Sequence, residues 1–236
     1  MMVAVIGGVH ANFPALRASL DAIDEAGIHT ILCTGNVAVG FGMPNEVVEC
    51  ISQRGIHCVQ GAWDRLVVRA SRKAESLESR LPVELARAIQ RAHEELTSAN
   101  IERLRSMPRS IALTLDGVAT CLCHGGPTGQ AVELDEDSPL EKFRRQREAA
   151  NAELIVCGST ALPYARWVDT ALFVNPGRSG VPGGHPPTAR FAVIDTDAEP
   201  WEATFPEVKY EWPEPGRPAT LDYSADAAAL FRVELR

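Results

Sequence analysis

The sequence predicts an α/β fold in which strands and helices alternate first and further strands follow. Two observations support this prediction. Short apolar runs alternate with amphipathic helical segments through residues 1–65, and apolar runs of strand length dominate the second half. Each early run ends at glycine, as expected of short strands buried on both faces. At 236 residues the chain is long enough for one large domain.

The first elements follow a β-α-β-α-β order, which predicts parallel strands with helices packed on them. Strands are predicted at residues 3–6, 30–33 and 58–59. The first helix is capped by Asn12 and carries Pro14 in its first turn, and the second helix begins at Pro44. Gly27 and Gly55 end these two helices.

A helical segment interrupts the sheet pattern at residues 65–107, which contain no glycine and are rich in arginine, glutamate, leucine and alanine. Two or three helices are predicted there. Pro82 starts the second helix, and Thr97 or Ser98 caps the last one.

The second half is predicted to consist mainly of strands. Asp116-Gly117 between two apolar runs indicates a β-hairpin, and a helix is predicted near residues 139–150. Further strands are predicted at residues 154–157, 171–174 and 191–194, with an edge strand at 201–205. We therefore expect one domain at residues 1–205, which includes the helical segment. A proline-rich tail at 206–236, with a short helix capped by Ser224, is expected to pack on the same domain.

Charge and cysteine content exclude several classes of protein. The chain carries 23 basic and 31 acidic residues, so a large basic surface for duplex nucleic acid or an anionic membrane is not expected. No window is apolar enough for a transmembrane helix, and the N-terminus lacks the pattern of a signal peptide. The six cysteines include no CxxC pair. These features favour free thiols in the cytoplasm.

The candidate site follows from the residues at the strand ends, because open α/β sheets bind ligands beyond the carboxyl ends of their strands. The strand ends carry these motifs: Gly7-Gly8-Val9-His10-Ala11-Asn12, Gly35-Asn36, Gly61-Ala62-Trp63-Asp64, His124-Gly125-Gly126, Gly158-Ser159-Thr160-Ala161 and Asn175-Pro176-Gly177-Arg178.

This series of motifs, in this order, resembles the calcineurin-like metallophosphoesterases, and especially their small bacterial and archaeal phosphodiesterase branch. The family pattern is Asp-x-His-Gly-Asn, Gly-Asp, Gly-Asn-(His or Cys)-Asp, His-Gly, Gly-His-Thr-His and Asn-Pro-Gly-Ser. The resemblance runs from about Val3 to Phe205, and segments 44–48, 104–108 and 162–163 also match. It implies a four-layer α/β/β/α sandwich of two mixed β-sheets with helices outside.

The resemblance fails at most of the positions that hold two metals in the family. His10 and His124 are retained, whereas the other five ligand positions carry Gly8, Asn36, Ala62, Ser159 and Ala161. Trp63 stands where the family has the residue that assists the leaving group, and the neighbouring Asp64 is retained. A dinuclear centre needs anionic oxygen ligands between its two cations. The sequence therefore predicts no bound metal.

Two other interpretations of these residues remain open. In the first, Asp64 turns inward and joins His10, Asn36 and His124 around a single metal such as Mn, Fe, Ni or Zn. In the second, His10, Asn36, Trp63, His124 and Arg178 form an anion-binding pocket without metal, in which Arg178 binds a phosphate. The histidines and Trp63 can also be packed remnants, and Arg178 can pair with Asp64.

The function expected from the resemblance is therefore that of a metallophosphoesterase-like protein with a degraded dinuclear metal centre. We expect it to be catalytically inactive and to act as a binding or regulatory protein, with a phosphate-containing small molecule as its partner. The alternative is an active metal-dependent phosphatase or phosphodiesterase with a degenerate or single-metal centre. A third interpretation is a structural subunit of an oligomer.

Overall fold

The computed structural model describes residues 1–70, 81–181 and 186–211. These residues form two five-stranded sheets, a two-stranded ribbon and helices on the outer faces. The strands are β1 (Met2–Ile6), β2 (Thr30–Cys33), β3 (His57–Cys58), β4 (Ser110–Leu115), β5 (Val118–Cys123), β6 (Leu154–Val156), β7 (Tyr164–Val168), β8 (Ala171–Asn175), β9 (Thr188–Arg190), β10 (Ala192–Asp195), β11 (Glu202–Thr204) and β12 (Glu207–Lys209). The helices are α1 (Phe13–Glu25), α2 (Pro44–Gln53), α3 (Ala62–Arg69), α4 (Val83–Glu95), α5 (Ser98–Ser106) and α6 (Leu140–Ala150).

Both five-stranded sheets contain parallel and antiparallel pairs. The first sheet has the order β11-β10-β1-β2-β3, in which β1, β2 and β3 are parallel and β10 is antiparallel to β1. The second has the order β4-β5-β6-β8-β7, in which β5, β6 and β8 are parallel and the edge strands β4 and β7 are antiparallel to their neighbours. The parallel strands of each sheet therefore end at one edge, where the candidate residues lie.

The alternation of side chains along the strands produces four layers. On β1, Val3 and Val5 pack between the two sheets, whereas Ala4 and Ile6 pack on the side of α1 and α2. On the outer face of the second sheet, Phe143 of α6 packs edge-on against Phe173. The order helix, sheet, sheet, helix confirms the predicted α/β/β/α sandwich of two mixed sheets.

Most predicted elements are present, and three strands were missed. Asn12 accepts a hydrogen bond from the Ala15 N–H at the start of α1, and Thr97 is the residue that caps α5. The missed strands are β7, β9 and β12. These strands are short or lie at sheet edges, and their half-exposed residues do not form an apolar run.

The first residues of the predicted proline-rich tail form a strand. Strand β12, within the predicted tail, pairs with β9, and the Tyr210 hydroxyl accepts a hydrogen bond from the Asn12 side-chain amide. The helix predicted after Ser224 lies outside the described residues. The domain boundary at residue 205 stays a prediction.

The cysteines and the helices can be compared with the sequence expectations of free thiols and of no membrane-spanning helix. All six cysteines are free thiols, and five of them are buried. Among the described helices, none combines the length and the apolar character needed to cross a bilayer.

Close packing between the sheets gives a prediction at Gly158, which follows β6. A Cβ atom at this position would lie 1.9 Å from Thr34 Oγ1 and 2.4 Å from Thr34 Cβ. We expect Gly158→Ala to lower the free energy of unfolding by about 2 kcal/mol or more, in the range of overpacked cores. Urea unfolding measures this loss.

The matched control is Gly129→Ala, because a Cβ atom at Gly129 meets nothing within 4 Å. We expect this variant to differ from the parent by at most about 0.5 kcal/mol. Equal free energies of unfolding for the two variants would show that the structure accommodates a Cβ atom between Gly158 and Thr34, contrary to the prediction.

Candidate functional site

The structure brings the candidate residues together at the carboxyl edge of the strands. His10 follows β1, Asn36 follows β2, Trp63 and Asp64 lie in the first turn of α3 after β3, His124 follows β5, and Arg178 follows β8. Backbone hydrogen bonds join these segments. The His10 N–H donates to the Asn36 carbonyl at 2.9 Å, and the Gly158 N–H donates to the His124 carbonyl at 2.7 Å.

Two of these segments have an unusual backbone conformation. His10, Ala11 and Asn36 have φ angles of 53°, 56° and 56°, in the left-handed region that non-glycine residues rarely adopt. Such residues persist only where surrounding contacts hold them, and they cluster at functional sites. Here the Ala11 N–H donates to the Val37 carbonyl at 2.7 Å, which ties the two segments together.

The Asp64 carboxylate, fully buried, is the structural anchor of the site. Its Oδ2 accepts from the N–H groups of Asn36 (2.8 Å) and Gly61 (2.9 Å), and its Oδ1 accepts from those of Val37 (2.9 Å) and Ala38 (3.1 Å). Burial raises the pKa of this carboxyl, whereas the N–H groups and His124 act to lower it. One side chain therefore joins the end of β2 to the start of α3.

These hydrogen bonds bear on two of the interpretations of Asp64, an inward turn to a metal and a pair with Arg178. Both carboxylate oxygens are occupied by backbone N–H groups, so turning inward to a metal would leave four donors without this partner, three of them buried. Each buried donor without a partner costs about 1–3 kcal/mol. In the described chain every hydrogen bond of Asp64 comes from backbone, so the side chain does not pair with Arg178.

Asn36 also directs its side chain toward the start of α3. Its Oδ1 accepts a hydrogen bond from the Trp63 N–H at 3.0 Å. The side-chain oxygen of Asn36, considered above as a metal ligand, therefore accepts a hydrogen bond from one of the N–H groups in the first turn of a helix, which have no acceptor within the helix itself.

Each of the two histidines directs its Nδ1 atom at a backbone carbonyl oxygen. His124 Nδ1 lies 2.7 Å from the Thr34 carbonyl oxygen, and His10 Nδ1 lies 3.3 Å from that of Val39. A carbonyl only accepts, so Nδ1 carries a proton in both rings. Burial is the main cause that lowers the pKa of both imidazoles, and the positive charge of Arg178 lowers both further.

Arg178 lies against the position where the family has its first aspartate. Gly8 has a φ of +52°, and a Cβ atom there would lie 3.1 Å from Arg178 Cγ and 3.0 Å from His10 Nε2. The absence of a side chain at residue 8 therefore leaves room for the arginine stem. Arg178 itself is half-buried.

Trp63 closes much of the remaining space around the histidines. Its side chain is 5% exposed, and its ring centroid lies 5.2 Å from that of His10 with the planes tilted by 55°. His10 and His124 are 1% and 3% exposed, respectively. The centre is therefore tightly packed, and Asn36, Ser159 and Arg178 are its partly exposed members.

The residues present do not fit a dinuclear metal centre. Gly8, Ala62 and Ala161 offer no side-chain donor atom, and the Ser159 hydroxyl donates to the Val132 carbonyl at 3.1 Å. Within residues 1–70, 81–181 and 186–211, no three His, Cys, Asp or Glu side chains are grouped so that they could hold a metal ion. Two imidazoles without a carboxylate fall short of the three or four ligands that such metals take.

Sequence reasoning missed two residues that organise the site. The Thr34 carbonyl orients His124, and the buried Thr34 hydroxyl has no hydrogen-bond partner among the described residues. Gln60 donates its backbone N–H to the Pro108 carbonyl and its side-chain amide to the Leu104 carbonyl, both at 2.8 Å. The available signal was position alone, because each residue directly precedes a strand-end glycine, Gly35 or Gly61.

The sandwich and the strand-end loops together define a metallophosphoesterase-type domain. Residues 1–199 match the calcineurin-like phosphoesterase superfamily domain, and the chain belongs to this family. An uncharacterised protein of Methanocaldococcus jannaschii is 34% identical over 180 residues, which are 75% of this chain and 69% of that protein.

Solved structures show the same fold. A hypothetical protein from Pyrococcus horikoshii OT3 superposes with a TM-score of 0.79 at 24% identity, over 89% of this chain and 88% of that chain. A metallophosphoesterase from Sphaerobacter thermophilus has a TM-score of 0.66 at 24% identity, over 89% of this chain and 90% of that chain.

The lowered pKa values of the histidines predict how stability depends on pH. The unfolded chain binds protons at His10 and His124 near the ordinary histidine pKa of about 6.5, whereas the folded chain binds them only at lower pH. Stability from these groups is therefore fully present above that pH and is lost as the pH falls below it. Asp64, whose pKa is raised, contributes with the opposite sign.

Urea unfolding at several pH values between about 7.5 and 5 tests this dependence. We expect the combined His10→Gln and His124→Gln variant to lose less stability on acidification than the parent. The control is His29→Gln, because His29 is exposed. An unchanged slope in the combined variant would contradict the assignment of neutral, buried imidazoles.

Proposed function

We propose that this member of the family does not hydrolyse phosphate esters and acts as a binding or regulatory protein for a phosphate-containing small molecule. One observation carries the proposal. Asp64, the carboxylate that the sequence retains at the centre, is committed to four backbone N–H groups, and Gly8 supplies no second carboxylate.

The chemistry of the family explains why this observation matters. Two-metal phosphoester hydrolysis needs anionic ligands that balance two dications and a metal-activated water as nucleophile. The centre offers neutral imidazoles and an amide oxygen that already accepts the Trp63 N–H. Nothing in this donor set balances the charge of two cations.

Arg178 supports the binding part of the proposal. Its stem passes Gly8, with Cγ 3.1 Å from where a Cβ of that residue would lie, and its positive charge adds to burial in lowering the pKa of His10 and His124. A guanidinium forms paired hydrogen bonds with a phosphate group. Asn36 and Trp63 complete the proposed anion pocket, and a compartment that keeps six free thiols reduced, such as the cytoplasm, suits the protein.

Two other functions have specific support. An active phosphatase or phosphodiesterase is favoured by the Nδ1 contacts of His10 and His124, because metal-binding histidines also donate that proton to backbone carbonyls. A purely structural role, as in a subunit of an oligomer, would agree with the near-complete burial of both rings, which leaves little of them accessible to a ligand.

The first test is metal content. We expect protein purified without chelator to contain far less than one atom of Mn, Fe, Ni or Zn per chain by elemental mass spectrometry. The reason is the absence of donor atoms at Gly8, Ala62 and Ala161. About two atoms per chain, lost in a His10→Ala and His124→Ala variant, would overturn this expectation.

The second test is activity. We expect no hydrolysis of aryl phosphomonoesters or phosphodiesters above background with added Mn²⁺, because the centre lacks a carboxylate ligand. The His124→Ala variant, purified in parallel, controls for a contaminating phosphatase. Turnover by the parent that disappears in this variant would show that the degenerate centre is active.

A further inference from the structure

A second cluster of positive charge lies beside the centre, and we call Arg65, Arg69 and Arg109 the arginine patch. Arg65 directly follows Asp64 on α3, Arg69 lies one turn further along, and Arg109 immediately precedes β4. Arg69 and Arg109 are exposed, and Arg65 is partly exposed. Burial lowers the pKa of Arg65, and the charges of Arg69 and Arg109 lower it further.

No carboxylate of the described residues neutralises the arginine patch. The side-chain ion pairs of those residues use Arg54, Arg87, Arg105, Arg144, Arg147 and Arg190. Arg65 and Arg69 are also four residues apart on one helix, where like charges repel. In a chain of net charge −8 the patch is therefore a local region of positive potential.

Gln60 holds the segments that carry the arginine patch. Its backbone N–H donates to the carbonyl of Pro108, the residue before Arg109, and its own carbonyl accepts from the Gln130 side chain at 2.5 Å. The other end of the Gln130 amide lies 3.5 Å from Arg65 Nη1. One buried glutamine thus connects the base of Arg109, the loop after His124 and the start of α3.

We propose that the arginine patch binds the phosphate chain of a small molecule that carries two or more phosphate groups. Several guanidinium groups on a braced surface match several phosphates, and each can form paired hydrogen bonds. Because Arg65 is adjacent to Asp64, the patch extends the centre at which we place the phosphate pocket. In its link to this pocket the inference rests on the proposed function. Separate variants, of Arg178 for the pocket and of Arg65 and Arg109 for the patch, distinguish the failure of one from the failure of the other.

Calorimetric titration of the full chain with sodium tripolyphosphate and with orthophosphate, at low salt and without metal, tests the proposal. We expect tripolyphosphate to bind at least about tenfold more tightly, and this advantage to shrink as salt is added. The combined Arg65→Gln and Arg109→Gln variant should lose most of the advantage. Arg17→Gln, which removes one positive charge at an exposed position of α1 and is matched in charge to Arg109→Gln alone, should keep it.

Arg178→Ser separates the two sites. Loss of orthophosphate binding in this variant, with tripolyphosphate binding by the parent still dependent on Arg65 and Arg109, supports both proposals. Unchanged orthophosphate binding in Arg178→Ser would contradict the proposed pocket at Arg178. The arginine patch is then decided by the variants of Arg65 and Arg109 alone.

Three results would overturn the proposal that the arginine patch binds a phosphate chain. They are no tripolyphosphate binding, equal affinity for the two anions, and undiminished tripolyphosphate binding by the combined variant. Tighter binding of a short single-stranded oligonucleotide than of tripolyphosphate would also overturn it, in favour of a nucleic acid. If the combined variant has a lower midpoint of thermal unfolding than the parent, the titration is repeated with Arg109→Gln alone, because Arg109 is exposed and its substitution leaves the core unchanged.

Discussion

The Asp64 carboxylate and its four backbone N–H partners hold the candidate centre together. Three of these donors belong to the loop after β2 and the fourth belongs to Gly61, so one buried side chain fixes the distance between two parallel strands where they end. The loop after β2 in turn fixes the loop after β1, because the Asn36 and Val37 carbonyls accept from His10 and Ala11. The left-handed backbone at His10, Ala11 and Asn36 is a consequence of this chain of contacts.

This arrangement explains how the loops of a metal centre keep their shape without the side chains that bind metals in the family. Close packing of backbone supports the same loops. A Cβ atom at Gly35 would lie 2.5 Å from the Gly61 amide nitrogen, and one at Gly180 would lie 1.7 Å from the Val9 carbonyl oxygen. The scaffold therefore depends on Asp64 and on glycines, whereas the chemistry of the family depends on residues that are substituted here.

Much of the fold could be predicted from the sequence because apolar runs and glycines mark buried parallel strands. Strands β7, β9 and β12 could not, since their half-exposed residues show no continuous apolar run and their pairing depends on distant segments. The positions of the site residues followed from the motif order. Their contacts did not, because nothing local to Asp64 indicates that its oxygens point to backbone N–H groups 26–28 residues earlier.

Gly8 and Arg178 are linked by space. The family has an aspartate at the position of Gly8, and a side chain there would meet the stem of Arg178. A carboxylate at residue 8 would need a Cβ within 3.1 Å of the arginine stem, at a φ that side chains rarely adopt. With glycine the arginine stem fits. Burial is the main cause that lowers the pKa of both imidazoles, and the guanidinium charge of Arg178 lowers both further. Such a donor set lacks the anionic ligands that would balance a dication, and this is the physical argument behind the proposal of binding rather than hydrolysis.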